Sequence, residues 1–208
     1  MSPPPPRPTK AELEAANGRV IADVIADDLR VLFCGINPGV MSAATGHHFA
    51  RPGNRFWRTL HEAGFTERRL APAEQRLLLA RGIGLTNLVA RTTASAAELT
   101  PRELAAGRRR LEAKVRRLRP RAVAVLGVGA YRLAFARPRA GLGIQPERLA
   151  GAALWVLPNP SGRSAHYALA DLVLLYRRLL ERVESGDVRR EAERGHRKRP
   201  HSSAAPDF

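Results

Sequence analysis

The sequence predicts an α/β fold, a mainly parallel sheet covered by helices on both faces. Four short apolar runs, at 31–34, near 83–89, at 122–126 and at 153–157, have the length of strands, and helical patterns separate them. Strands alternating with helices pair in parallel, because each crossover helix returns the chain to the same direction. Two of the runs, Val31 to Cys34 and Ala153 to Leu157, break abruptly into Asn, Pro, Gly and Ser. These residues form loops, and strand exits of this kind gather at one sheet edge, where active sites form.

The elements follow in order. Residues 1–28 start with a Pro-rich stretch, Ser2 to Pro8, that suits neither helix nor sheet, and they are expected as a largely disordered tail leading into the domain. After the strand at 31–34 come helices at about 55–63 and 73–81, then a short strand or turn near 83–89. A long helix over 101–118 opens with Thr100-Pro101-Arg102-Glu103, where Thr caps, Pro takes the first turn and Glu completes a capping box. Strand 122–126, a short helix at 130–135, strand 153–157 and a closing helix over 166–184 complete a domain at 29–184. The charged stretch 185–208 reads as a flexible C-terminal tail. No internal repeat is visible.

A length of 208 residues with 44% hydrophobic content suits one domain with a real core. No apolar run approaches membrane-spanning length, and the Pro-rich start lacks the apolar core of a signal peptide. A soluble, cytoplasmic monomer is expected, nucleoid-associated if the source is bacterial. The single cysteine, Cys34, excludes an internal disulfide and four-thiolate cluster ligation; inside an apolar run it reads as a buried core thiol.

The formal charge is +16, and residues 29–184 account for it with 26 basic against 10 acidic side chains. A domain this basic attracts polyanions, nucleic acid first, because neutralising phosphates drives affinity whatever the base sequence. Compositional bias is the plainer alternative, since nearly all the basic residues are arginine. Along 101–118, Arg108, Arg109, Arg110, Lys114, Arg116 and Arg117 wrap too far round to form one stripe, so most read as a solvated face. Gly127-Val128-Gly129 resembles the start of a nucleotide loop but lacks the third glycine and the later acidic residue, so a tight turn into a helix is the better reading.

The first loop runs from Gly35 to Trp57. Glycines at 35, 39, 46 and 53 allow close backbone approach, Asn37 supplies a neutral amide and Phe49 a flat apolar face, a combination that suits a planar heterocycle. The segment Gly35-Ile36-Asn37-Pro38-Gly39 through His47-His48-Phe49 closely resembles a motif of the mismatch-specific uracil/thymine DNA glycosylases of the uracil-DNA glycosylase superfamily. Asn159-Pro160-Ser161-Gly162-Arg163 is similar to the second motif of that family, in order and position. The similarity spans about residues 29–180.

The resemblance implies a three-layer α/β/α sandwich around a four-stranded, mainly parallel sheet. It also implies hydrolysis of the N-glycosidic bond of uracil flipped out of double-stranded DNA, without metal or cofactor, with a mispaired or damaged base as target and base excision repair as the process it initiates. Flipping exposes the bond, and a G·U wobble opens more cheaply than a matched pair. Carried over position by position, Asn37 is the catalytic residue that orients water toward the sugar C1′. Gly35, Ile36, Ser42, His48 and Phe49 form the base pocket, with backbone N–H groups around Ile36 and Phe49 facing the leaving anion, Phe49 stacking on the base, Ser42 beside its C5 and His48 as a donor. Asn159, Pro160, Ser161 and Gly162 face the orphaned guanine and Arg163 fills the gap. The histidine pair, His47 and His48, and Arg163 resemble the thymine-directed branch, and the small Ser42 leaves room for a thymine methyl group or a damaged cytosine. Asn54, Phe56 and Trp57 read as scaffold. Two other functions stay open on the residues alone: a non-catalytic basic nucleic-acid-binding module, and a nucleotide-binding enzyme using the 127–129 turn.

Overall fold

The computed structural model describes residues 7–162 and 167–186. Five strands form one sheet: β1 (Val31–Gly35), β2 (Ile83–Asn87), β3 (Ala122–Leu126), β4 (Gly143–Leu149) and β5 (Ala152–Leu157), in the order β2-β1-β3-β5-β4. The first three neighbouring pairs are parallel and β4 runs antiparallel to β5. The sheet therefore has five strands, where four were expected from the sequence. The fifth, Gly-Ile-Gln-Pro-Glu-Arg-Leu, carries Pro146 and alternates polar with apolar residues, and its register slips between Ile144 and Arg148. A proline and a broken ladder are tolerated only at an edge, so the segment lacks the continuous apolar run that marks the inner strands.

The inner strands are buried on both faces, so alternate residues feed two cores. Phe33, Leu85, Ala124, Trp155 and their same-face neighbours meet α3 (Phe56–Glu62), a 3₁₀ stretch (Pro72–Arg81) and α6 (Leu169–Glu184). Leu32, Cys34, Val123, Val125, Leu154 and Val156 meet α4 (Pro101–Leu118) and α5 (Val128–Ala134). The result is the expected α/β/α sandwich. Leu104, Leu111, Val115 and Leu118 give α4 its buried stripe, and Thr100 and Glu103 exchange both capping bonds, at 3.2 and 2.9 Å. Phe33 anchors the first core: it packs edge-on to Phe56 and Phe65 and stacks on Tyr176, with centroids within 5.6 Å. Truncating such a buried ring costs about 3–5 kcal/mol. Cys34 is fully buried, and burial raises its thiol above the ordinary range, which keeps it protonated and inert.

Two loops differ from expectation. Within the first motif, α2 (Val40–Thr45) forms a short helix closed by Gly46 at φ +74°. The stretch 7–28, read as a tail leading into the domain, is built into it over its described length. Thr9 caps α1 (Lys10–Ala15), and Ala16, Ile21 and Val24 are buried. Val24 exchanges backbone bonds with Leu85 at 2.9 and 2.7 Å, and Val20 pairs antiparallel with Arg91. The alternation of single apolar residues with charged ones hid this strap, because it pairs only at isolated positions.

Candidate active site

The carboxyl ends of β1, β2, β3 and β5 surround a cavity of about 420 Å³. Gly35, Asn87, Leu126 and Asn159 stand at those four exits and all line it. The chain passes from β1 to β2 on one side and then crosses back over β1 to β3 on the other, and a crevice outside the carboxyl ends at such a switch point is the usual binding place of an α/β sheet. Both motifs therefore reach one cavity. Asn37, Ser42, His48, Phe49, Asn159 and Ser161 all border it, as do Ile21, Thr93 and Arg51; among the described residues Arg51 is the one charged side chain of the lining, and no carboxylate lines it.

Asn37 is held by its amide nitrogen. Nδ2 lies 2.7 Å from Thr93 Oγ1 and 3.2 Å from both Pro38 O and Arg91 O, and its two protons serve those three acceptors. Exchanging the amide atoms would set Oδ1 against two carbonyl oxygens, so the network fixes the orientation. Thr93 in turn donates its hydroxyl proton to Ser95 O at 2.8 Å, which leaves its oxygen free to accept from Asn37. The carboxamide oxygen is the atom left to the cavity, as a neutral acceptor for a water.

Phe49 has its backbone at φ +55°, a left-handed conformation that costs a residue with a β-carbon roughly 1–2 kcal/mol. That turn seats the ring on Phe56, centroids 4.0 Å apart at 26°, with the cavity beside it. Among the described residues the Phe49 N–H has no protein acceptor. Gly35 leaves room for the Asn87 amide: a β-carbon there would come within 2.5 Å of Asn87 Oδ1, so that side chain would have to turn away, and would touch the Phe49 ring at 3.4 Å. Ser42, on α2 and nearly buried, accepts the Ala50 N–H at 3.3 Å and presents a small hydroxyl to the cavity.

His48 differs from expectation. Its Nε2 lies 3.1 Å from Ala22 O, its N–H donates to Gln75 Oε1 at 2.8 Å and its carbonyl accepts from Trp57 Nε1 at 3.2 Å. Burial lowers the pKa of the ring, so it is neutral; with the Nε2 proton committed to a carbonyl, Nδ1 carries a lone pair and cannot donate. The ring therefore ties the first motif to the strap and has no donor left for a leaving base. His47 faces Gln75, 3.3 Å from its amide nitrogen.

The second loop is locked to the first. Asn159 Oδ1 accepts the Ser161 N–H at 3.0 Å, Arg55 N–H donates to Pro160 O at 3.0 Å, and a β-carbon on Gly162 would come within 2.7 Å of Gly53 O. Arg163 lies outside the described residues. The scaffold reading of Asn54, Phe56 and Trp57 agrees with their contacts, since Asn54 Oδ1 accepts the Phe56 N–H at 3.0 Å and both aromatics are buried. Gly127 takes φ +129° in a tight turn into α5, and a β-carbon there would come within 3.1 Å of Ile36. Sequence reading missed Asn87 and Thr93. Asn87 carries the same signal as Asn37, a polar residue at the end of an apolar strand; Thr93 carries none, because its role depends on a partner 56 positions away.

Among the described residues no group of His, Cys, Asp or Glu could hold a metal ion, and no helix is long and apolar enough to cross a membrane. The family model described as the uracil DNA glycosylase superfamily matches residues 22–180. The fold is also similar to the solution NMR structure of a candidate uracil DNA glycosylase from Methanosarcina acetivorans, with a TM-score of 0.53 and 18% identity, covering 78% of this chain and 98% of that one.

Proposed function

Because this chain belongs to the uracil DNA glycosylase superfamily, we propose that it is a monofunctional, mismatch-specific DNA glycosylase acting on uracil opposite guanine. The observation that carries the reading is the Asn37 amide, whose nitrogen is fixed by three acceptors while its oxygen is left to the strand-edge cavity.

In this mechanism the uracil nucleotide swings out of the duplex into the cavity and stacks on Phe49. The C1′–N1 bond breaks first, its electron pair leaving with uracil as an anion whose oxygen accepts the free Phe49 N–H. The water held on Asn37 Oδ1 adds to the cationic C1′, and its proton passes to the departed uracil anion, giving an abasic site and neutral uracil. Asn37 cannot serve as a base, and among the described residues no carboxylate lines the cavity to offset charge at C1′, so the chemistry is slow. The reaction needs no metal and no cofactor.

The small Ser42 side chain leaves room beside the base, which extends the substrate range to thymine and modified cytosines. Asn159 to Gly162 face the orphaned guanine and Arg163 fills the gap, roles taken from the family resemblance. The protein acts as a monomer in the cytoplasm, at the nucleoid if bacterial, and initiates base excision repair. Incubation with a G·U duplex followed by hot alkali tests the reading. A strand break at the uracil is expected, and an intact strand removes the reading.

A further inference from the structure

The strap formed by residues 18–24 reaches the site from outside both motifs. Thr92 N and Thr92 Oγ1 donate to Arg19 O at 2.9 and 2.7 Å, and Gly18 N donates to Thr92 O at 3.2 Å. Thr92 thus spends its N–H, its hydroxyl proton and its carbonyl on the strap. Its two neighbours face the other way: Arg91 O and Thr93 Oγ1 both accept from Asn37 Nδ2. Thr92 and Thr93 are both buried, so no solvent is at hand to replace a lost bond.

The strap is itself anchored. Asp23 pairs with Lys114 at 2.5 Å and accepts the Thr86 hydroxyl at 2.8 Å, while Lys114 donates to Thr86 at 2.9 Å, closing a ring that joins the strap to β2 and α4. Next to it, Ala22 O takes the His48 ring. Ile21 continues into the wall of the cavity.

We infer that Thr92, clamped by the 18–24 strap, is a positioning residue that fixes the rotation of the Asn37 carboxamide and so presents its oxygen to the attacking water. This rests on the glycosylase reading for its chemistry but not for its geometry. Loosening the strap lets the 91–93 segment shift, and the amide loses two of its three acceptors together. Substrate binding, made elsewhere in the cavity and on the second loop, is left intact.

The test compares Thr92→Val, which removes the hydroxyl at nearly constant volume, with Thr92→Ser, which keeps it. Three quantities are read: the single-turnover excision rate on a G·U duplex, the Kd for a duplex carrying non-hydrolysable 2′-fluoro-deoxyuridine, and the hydrogen exchange of the Asn37 side-chain amide by NMR, its resonance assigned by its loss in Asn37→Asp. Thr92→Val is expected to slow excision by about tenfold, leave Kd within about twofold and speed the amide exchange, with Thr92→Ser restoring all three. Tyr131→Phe, which removes a hydroxyl bonded to Glu147 on the far side of the sheet, is the control for general loosening. Unchanged exchange and rate in Thr92→Val overturn the inference, as does a Tyr131→Phe enzyme that slows equally. If Thr92→Val fails to fold, Asp23→Asn carries the same measurements. If the wild type excises nothing, the glycosylase reading fails, while the amide exchange still decides whether the strap holds Asn37.

Discussion

Asn37 Nδ2 and Thr93 Oγ1 lie 2.7 Å apart, joining the start of the first motif to a loop 56 residues further on. This bond settles which end of the amide faces the cavity, since a threonine whose own proton goes to Ser95 O can only accept. Thr93→Val removes that acceptor, a loss of about 1–1.5 kcal/mol for a buried hydrogen bond. Excision is expected to slow by about tenfold under single-turnover conditions, with little change in DNA affinity.

Gly35→Ala places a β-carbon against Asn87 Oδ1 and the Phe49 ring. The strand can fold, because the clash lies at its open end, but the methyl group and the displaced Asn87 amide narrow the base pocket beside Phe49. Excision is expected to fall by more than about tenfold while thermal stability changes little, measured by a melting curve and a time course on the same preparation. A variant that excises at the wild-type rate shows that the base does not enter between these residues.

Phe49→Ala removes the stacking face and exposes Phe56, its partner at 4.0 Å. Base–aromatic stacking is worth about 1–3 kcal/mol, so Kd for a flipped-uracil analogue is expected to rise by about 5- to 150-fold. Phe49→Tyr keeps the ring and is expected to keep most of the affinity. Equal affinities for all three proteins mean that the ring serves only the core.

How much of this was legible follows from what each residue depends on. β3 and α4 are self-contained patterns, an apolar run and a capped amphipathic helix, and both have the extents read from sequence. Asn37 and Phe49 sit among loop formers that mark a site by themselves. β4 was hidden by Pro146 and its polar alternation, which an edge strand tolerates. The strap was hidden because Arg19 and Ala22 act through backbone carbonyls, which carry no side-chain signature. His48 looked like a donor until its Nε2 proved to be committed to one of them.

His48 gives a pH dependence. Burial holds its pKa below the ordinary 6.5, so the unfolded chain takes up a proton before the folded one does. Its contribution to stability is therefore full above pH 6.5 and is lost as the pH falls below it. The slope from this group is at most about 1.4 kcal/mol per pH unit. Denaturant midpoints of His48→Asn are expected to fall less steeply than those of the wild type between about pH 6.5 and about pH 5. Parallel slopes assign the acid sensitivity to other groups.

The central claim, that the Asn37 amide oxygen orients the water that cleaves the glycosidic bond, is tested most directly by Asn37→Ala on a G·U duplex. Single-turnover excision and binding to the 2′-fluoro-deoxyuridine duplex are measured side by side. The account predicts excision lost by at least about a hundredfold with binding kept within a few-fold, since the variant lacks only the group that places the water. Excision retained at the wild-type rate contradicts it, because the water is then held by some other group.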